Sequence, residues 1–549
     1  MAKVKTPAGP DFLSMDLFAP GMTALHRAGL GGLACTLRAI EREYAKERIT
    51  DSKLPAPFAE DSPPWEISER EVVLKFGRPE RAAKYLERLF VFAFGLLKKE
   101  GLIYLPGQFR QKPLDAVLAD LQLGLTLTFL QHGRVRQLAK EPSTITYDTT
   151  GSGLSELTVE YKKCSGFKHQ NGWQEFVDKQ GCLTTQPVRV EGPVSPGAVV
   201  RHVAFTGPTS VEDLPSRVLP LYFALVGCLP LAVNRGVAAL LIPEVENLLD
   251  FTFDRPLMSP STPGACLVTN AADGALQMQL RVRLGHLTHG AAIPGCYAMT
   301  FMPTAWASQQ KSRVATLYAP GGDQRTLDRF ERAMQHLPPR IATRTIKETS
   351  GRGKQKKVTE RSEAFRVDSV VRPLIAENLA TNRRWYAGFQ RLITATNPAT
   401  GRPFRQQLSY ERKGLHAMIS DDTMWDDEGE RLIVQAVHEA IRQSLGRIRD
   451  ETDGKEAKTL SPATKNRWER FREKLRLDLA GAKTAAHVRF ALTDLFSRGG
   501  SNSVLRSGWV QVLPVLRRDW QLARDLGLLA LASYAGRGGA EAESTTDDN

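Results

Sequence analysis

Cysteine is scarce in this 549-residue chain: Cys35, Cys164, Cys182, Cys228, Cys266 and Cys296 are widely scattered and include no C-x-x-C pair. That spread argues against a zinc ribbon and against a disulfide framework, and it fits a cytoplasmic protein. Long apolar runs are also missing. The longest, VLPLYFALVGCLPLAV, is too short to span a bilayer and is broken by prolines, so no membrane partner is expected. The opening MAKVK is basic, but the TPAGPDFLSMD after it holds two prolines and two aspartates where a secretory signal needs an apolar core. The sequence has no H-E-x-x-H, no G-x-S-x-G elbow, no G-x-x-x-x-G-K-[ST] phosphate loop and no HNH-like cluster. Catalysis is left without a constellation, and the expectation is a non-enzymatic chain without a cofactor.

One apparent exception is HRAGLGGLACTL, in which Gly29, Gly31 and Ala34 fit the G-x-G-x-x-G/A fingerprint of dinucleotide-binding folds. That fingerprint binds a pyrophosphate only when a buried strand precedes it and a helix begins within it. Here Pro20 and Gly21 make a break and Thr23 offers an N-cap, so the glycines fall inside a helix already running. Leu25, Leu33, Leu37, Ile40 and Tyr44 form its apolar stripe, and Ala28, Gly29 and Gly32 lie beside it, where missing side chains admit a close neighbour.

What the chain does have is positive charge, with 74 Lys and Arg against 60 Asp and Glu, a net of +14. A polyanionic partner is favoured. The length suggests about three or four domain-sized units. The pattern reads as α+β, a mixed α/β N-terminal region (1–339) followed by a C-terminal helical bundle (373–535). Between them, 340–372 carries ten Lys or Arg against four Asp or Glu and reads as a basic linker or loop. Residues 536–549 read as a disordered acidic tail. Within the first region, ALQMQLRVRL, CYAMTFM and RVATLYA are expected as strands. In the second, about five helices are expected, with RPLIAENLATNRRWYAGFQRLI and GWVQVLPVLRRDWQLARDLGLLAL each continuous.

Two stretches carry the chemistry of polyanion contact. EYKKCSGFKHQNGW places Lys162, Lys163, Lys168, His169, Gln170 and Asn171 in a loop between strands, a set of side chains suited to reading base edges in a DNA groove. KNRWERFREKLRLDL reads as a helix whose apolar stripe is Trp468, Phe471, Leu475 and Leu479, which leaves Lys465, Arg467, Arg470, Arg472, Lys474 and Arg476 around the other faces, with Arg467, Arg470 and Lys474 as the candidates for phosphates; Lys354, Lys356 and Lys357 of the linker are further backbone candidates. The competing reading of that helix is a solvated face neutralised by Glu469 and Glu473. His286 and His289, with Cys296 further on, are the only metal-ligand spacing noted, and no fourth ligand is in register.

Several blocks together, LFAPGMTALHRAGLGGLACTLRAIE, LKKEGLIYLPG, VAALLIPEVENLLDF, IAENLATNRRWYAGF and AVHEAIRQSLGRI, make the chain resemble the large subunit of type I CRISPR surveillance complexes, of the Myxan, DevT-like subtype. The resemblance runs from about Leu17 to Tyr534 and includes no catalytic motif. It implies a non-catalytic Cascade subunit at the 5′ end of a guide RNA, partnered by backbone, 5′-end and small subunits. Such a subunit inspects the motif flanking a double-stranded DNA target, aids R-loop formation and admits a helicase-nuclease. Motif-reading residues vary within the family, so none is carried over by position. In some relatives a small subunit arises by internal translation of the C-terminal region, for which Met418 and Met424 are candidate starts here. A metal-dependent nuclease using His286 and His289, and a scaffold without DNA contact, are the alternatives.

Overall fold

A computed structural model of the chain describes residues 9–49, 64–131, 133, 135–148, 156–191, 196, 210–234, 236–286, 292–304, 307–350, 357–397, 401–455 and 459–536. They divide into two compact units, one of 1–323 with 341–366 and one of 324–340 with 367–549. Length had suggested more units.

The first unit is mixed α and β. It opens with β1 (Phe12–Asp16), α1 (Ala24–Ile49), β2 (Trp65–Ile67) and β3 (Glu71–Lys75), the strands pairing in the order β1-β3-β2. Then come α2 (Ala82–Ala93), the hairpin β4 (Gly95–Leu97) and β5 (Leu102–Tyr104), and α3 (Asp115–Leu127). Short two-stranded pairings follow among β6 (Arg136–Leu138), β7 (Ser143–Asp148), β8 (Glu156–Tyr161), β9 (Cys164–Phe167), β10 (Val188–Glu191) and β11 (Ser210–Asp213): β6 with β9, β7 with β8, and β10 with β11. The core is completed by α4 (Pro215–Gly227), β12 (Leu229–Asn234), β13 (Val237–Pro243), α5 (Leu248–Met258), α6 (Ala271–Gly285), β14 (Cys296–Thr304) and β15 (Ala307–Ala319). Strands β12 to β15 form an antiparallel meander against which α1, α3 and α6 pack.

The glycines of α1 serve packing. A Cβ on Gly29 would lie 2.0 Å from the Pro220 carbonyl oxygen, and one on Gly32 would lie 2.4 Å from that of Phe223. From the facing helix, a Cβ on Gly227 would lie 1.8 Å from the Ala28 carbonyl oxygen. Two helix backbones therefore meet where no side chain fits. A strand, β1, does precede this helix, contrary to the sequence reading, but the glycines sit well inside α1 and offer no open helix start. Residues 28–37 are buried on every side, so the single stripe expected is broader in fact. Helix α4 ends on Arg255, which is fully buried and donates from Nε to the carbonyls of Val226 (2.7 Å) and Gly227 (3.0 Å), from Nη2 to Cys228 (2.8 Å) and from Nη1 to Ser259 Oγ (2.7 Å). The negative end of the helix dipole balances this cation.

The second unit is helical. It takes α7 (Gln324–His336), then after β16 (Arg340–Ser350) and β17 (Lys357–Val367) continues with α8 (Arg372–Ala380), α9 (Phe389–Thr394), α10 (Phe404–Ser420), α11 (Glu428–Thr452), α12 (Pro462–Ala480), α13 (Ala485–Gly499), α14 (Ser503–Arg518) and α15 (Trp520–Ser533). The expected linker is thus corrected: β16 and β17 pair with each other, and Arg366 of β17 donates to the carbonyls of Gly264 (3.1 Å) and Leu267 (3.4 Å) in the first unit. The ALQMQLRVRL strand is likewise corrected to helix α6. Each of the two helices expected to be continuous is broken. Asn382 (φ +52°) and Gly388 (φ +81°) separate α8 from α9, and Asp519 ends α14 while its carboxylate caps α15 at the amides of Gln521 and Leu522.

Candidate nucleic-acid interface

In the first unit the candidate reading stretch follows β9, which is held to β6 with Phe167 opposite Arg136 and Gly166 opposite Gln137. The chain then winds into a 3-10 run, Lys168–Phe176, where a loop between strands is expected. His169 does not face solvent. Its ring is 0 % exposed and boxed by Phe94 (centroids 5.4 Å), Phe167 (6.1 Å) and Tyr222 (5.5 Å). Burial first, and the nearby Lys168 ammonium second, push its pKa down to about 3, so the imidazole is neutral. Gln170 is also committed: its Oε1 accepts from the Phe167 amide (3.3 Å) and its Nε2 donates to the Phe94 carbonyl (3.0 Å). Neither side chain offers a free edge to a base.

The other four differ. Lys162, Lys163 and Asn171 are exposed and Lys168 is half-buried; Lys163 Nζ reaches the Lys99 carbonyl at 3.3 Å. Lys162 borders a cleft of about 720 Å³ between α3, β6 and β8, which Arg136, Gln137 and Lys140 also line. Arg136 is spent on the carbonyls of Thr126 (2.6 Å) and Leu130 at the end of α3. The sequence reading missed Gln137 and Lys140, although the basic run around them in RQLAKE was a signal.

In the second unit, α12 buries Leu475 and Leu479 and half-buries Trp468 and Phe471, as the stripe required. Trp468 Nε1 donates to the Leu445 carbonyl at 3.0 Å, which fixes the rotation of the helix. Arg470 and Lys474 stand exposed. Arg467 is exposed too but engaged, with Glu451 (3.0 Å) and the Thr452 hydroxyl (2.7 Å). Glu473 neutralises Arg476 (2.7 Å) and Arg405 of α10 (2.8 Å), and these bonds push its carboxyl down to about 2. Lys354 and Lys356 lie outside the described residues, and Lys357 opens β17.

His286 Nε2 meets Asp254 Oδ1 at 2.5 Å in a buried pair. His289 lies outside the described residues, and among those described no three His, Cys, Asp or Glu side chains gather to hold a metal. No described helix is long and apolar enough to cross a membrane. Met418, in α10, and Met424, in the turn before α11, are both buried.

In sequence, residues 14–222 match the DevT N-terminal domain and residues 421–549 the DevT C-terminal domain. A relative from Myxococcus xanthus (strain DK1622), the CRISPR-associated protein Cas8a1/Csx13, is 35% identical over 564 aligned residues, covering 99% of this chain and 92% of the relative. A mixed basic unit joined to a helical one, with these matches at both ends, defines a large subunit of the type I CRISPR class. The chain belongs to the DevT family.

Proposed function

We propose that this chain is the large subunit of a CRISPR-guided DNA surveillance complex, binding guide RNA and the other Cascade subunits, sensing the motif that flanks a target, aiding R-loop formation and admitting a helicase-nuclease without catalysing a reaction itself. The observation that carries this reading is the similarity to Cas8a1/Csx13 over 99% of the chain, which spans both units. Guide pairing reads sequence in such a system, and the protein reads only a short flanking element and the strand backbone. The accessible members of the candidate set suit that task. Lys162 lines the cleft with Gln137 and Lys140, and Lys163, Lys168 and Asn171 of the same stretch add two further cations and an amide, whereas His169 is buried and Gln170 is engaged with backbone. The exposed Arg470 and Lys474 of α12, with the basic stretch around Lys354, Lys356 and Lys357, are assigned to phosphates.

The test is target binding by the assembled complex with Asn171→Ala and Lys168→Ala. Each lost base contact weakens binding of the correct flanking motif by about 1 to 3 kcal/mol, with assembly intact. Unchanged discrimination between correct and incorrect motifs contradicts the assignment of this surface.

A further inference from the structure

A second cleft, of about 520 Å³, lies within the helical unit between α10, α12 and α15. Four guanidiniums line it, from Arg405, Arg412, Arg472 and Arg476, against two carboxylates, Glu469 and Glu473. One of those carboxylates is shared, since Glu473 takes both Arg405 and Arg476. A guanidinium carries five N–H donors, so a single carboxylate shared by two arginines satisfies only part of their capacity. Ile393, Leu408, Leu531 and Ala532 supply apolar wall between the charges.

Leu531 and Ala532 belong to the last turn of α15, so the chain leaves the helix at the edge of this cleft. Tyr534, just beyond the helix, has the Arg472 guanidinium 5.8 Å from its ring centroid. Gly536 then adopts φ +70°, a turn that only glycine makes freely. The residues that follow, RGGAEAESTTDDN, hold Glu541, Glu543, Asp547 and Asp548 against Arg537 alone. An acidic segment with a glycine-rich start thus leaves from beside a cleft lined by more guanidiniums than carboxylates, and an extended chain rises about 3.3 Å per residue, ample to return to it.

We propose that the acidic segment 540–548 docks in the arginine cleft between α10, α12 and α15, in cis, and so shields those arginines from other polyanions. The carboxylates take guanidinium donors that Glu473 leaves over. Tethering supplies the affinity: a segment joined to its site by a few residues has a local concentration on the order of millimolar, so a site that holds the free peptide with a Kd of about 0.1 mM is filled about ten to one. This inference stands on charge and connectivity in the helical unit and is independent of guide or target binding.

The test compares the full chain with one ending at Gly536, using a fluorescein-labelled peptide of residues 537–549 and anisotropy at low salt. The peptide binds the shortened chain, with an affinity that falls as salt rises, and binds the full chain about tenfold more weakly. Arg405→Gln with Arg412→Gln in the shortened chain abolishes that binding while circular dichroism and the melting temperature hold. A peptide with Gln and Asn at its four acidic positions does not bind. Equal binding to the full and shortened chains overturns the proposal, as does binding that survives the double substitution. If the double substitution removes binding of a single-stranded oligonucleotide but not of the peptide, the cleft belongs to nucleic acid and the proposal is likewise wrong.

Discussion

Single atoms decide whether α1 and α4 can meet. A methyl at Gly227 would fall 1.8 Å from the Ala28 carbonyl oxygen, and the obstacle is backbone, which cannot rotate away. Gly227→Ala must push the helices apart, with a cost of about 3 kcal/mol or more, and thermal unfolding of the first unit should show it; an unshifted transition would mean that the helices do not pack this closely. His169 acts through its neutrality. Its folded pKa, near 3, lies below the ordinary value of 6.5. The unfolded chain therefore takes up a proton first as the medium acidifies, so the stability this group permits is complete above pH 6.5 and is lost as pH falls toward 3. Between pH 7 and pH 5 the loss amounts to about 2 kcal/mol by linkage. His169→Phe keeps an aromatic ring in the box formed by Phe94, Phe167 and Tyr222 and removes the proton site. Urea unfolding of this variant should be flatter with pH by that amount, and the same pH dependence in both proteins would contradict the burial argument.

Among the elements, α12 shows how far a sequence pattern reaches. The spacing of Trp468, Phe471, Leu475 and Leu479 gave its rotation, and with it the exposure of Arg470 and Lys474. It could not say that Arg467 is held by Glu451, which comes from the preceding helix. If α12 holds phosphates, Arg470→Ala with Lys474→Ala lowers the salt-dependence slope of nucleic-acid binding by about 0.7 to 0.9 per contact; an untouched slope makes this a solvated face. Helix α6 was misread because Leu276, Met278, Leu280 and Val282 alternate as in a strand, while burial on nearly every side erased the helical period. The Asn270 cap, whose side chain accepts from the Asp273 amide at 2.8 Å, was the available counter-signal. Pairing of β16 and β17 was illegible for a different reason. Their sequences are rich in charge and show no period-two alternation of apolar and polar residues to mark a strand. The His169 box was equally hidden, since its partners Phe94 and Tyr222 lie far away in sequence and only the fold assembles them.

At the scale of the whole molecule, the excess of positive charge has two fates. Part is consumed internally, as where Asp426 takes Arg325 (2.9 Å), Arg329 (2.7 Å) and Arg384 (2.7 Å) in the helical unit. Part remains on accessible surfaces, around Lys162 in the first unit and along α12 in the second. The division into a mixed unit and a helical one follows the sequence reading of fold class, with α7 grouped with the helices and 341–366 grouped with the mixed unit. The central claim is that these surfaces serve a guide-RNA complex. Its most direct test is purification of the tagged chain from cells that also express Cascade backbone, 5′-end and small subunits and a repeat array, followed by sequencing of the bound RNA. A stoichiometric RNA of repeat-and-spacer sequence should elute together with the chain and the repeated backbone subunits; a chain that elutes alone, free of RNA, would contradict that role.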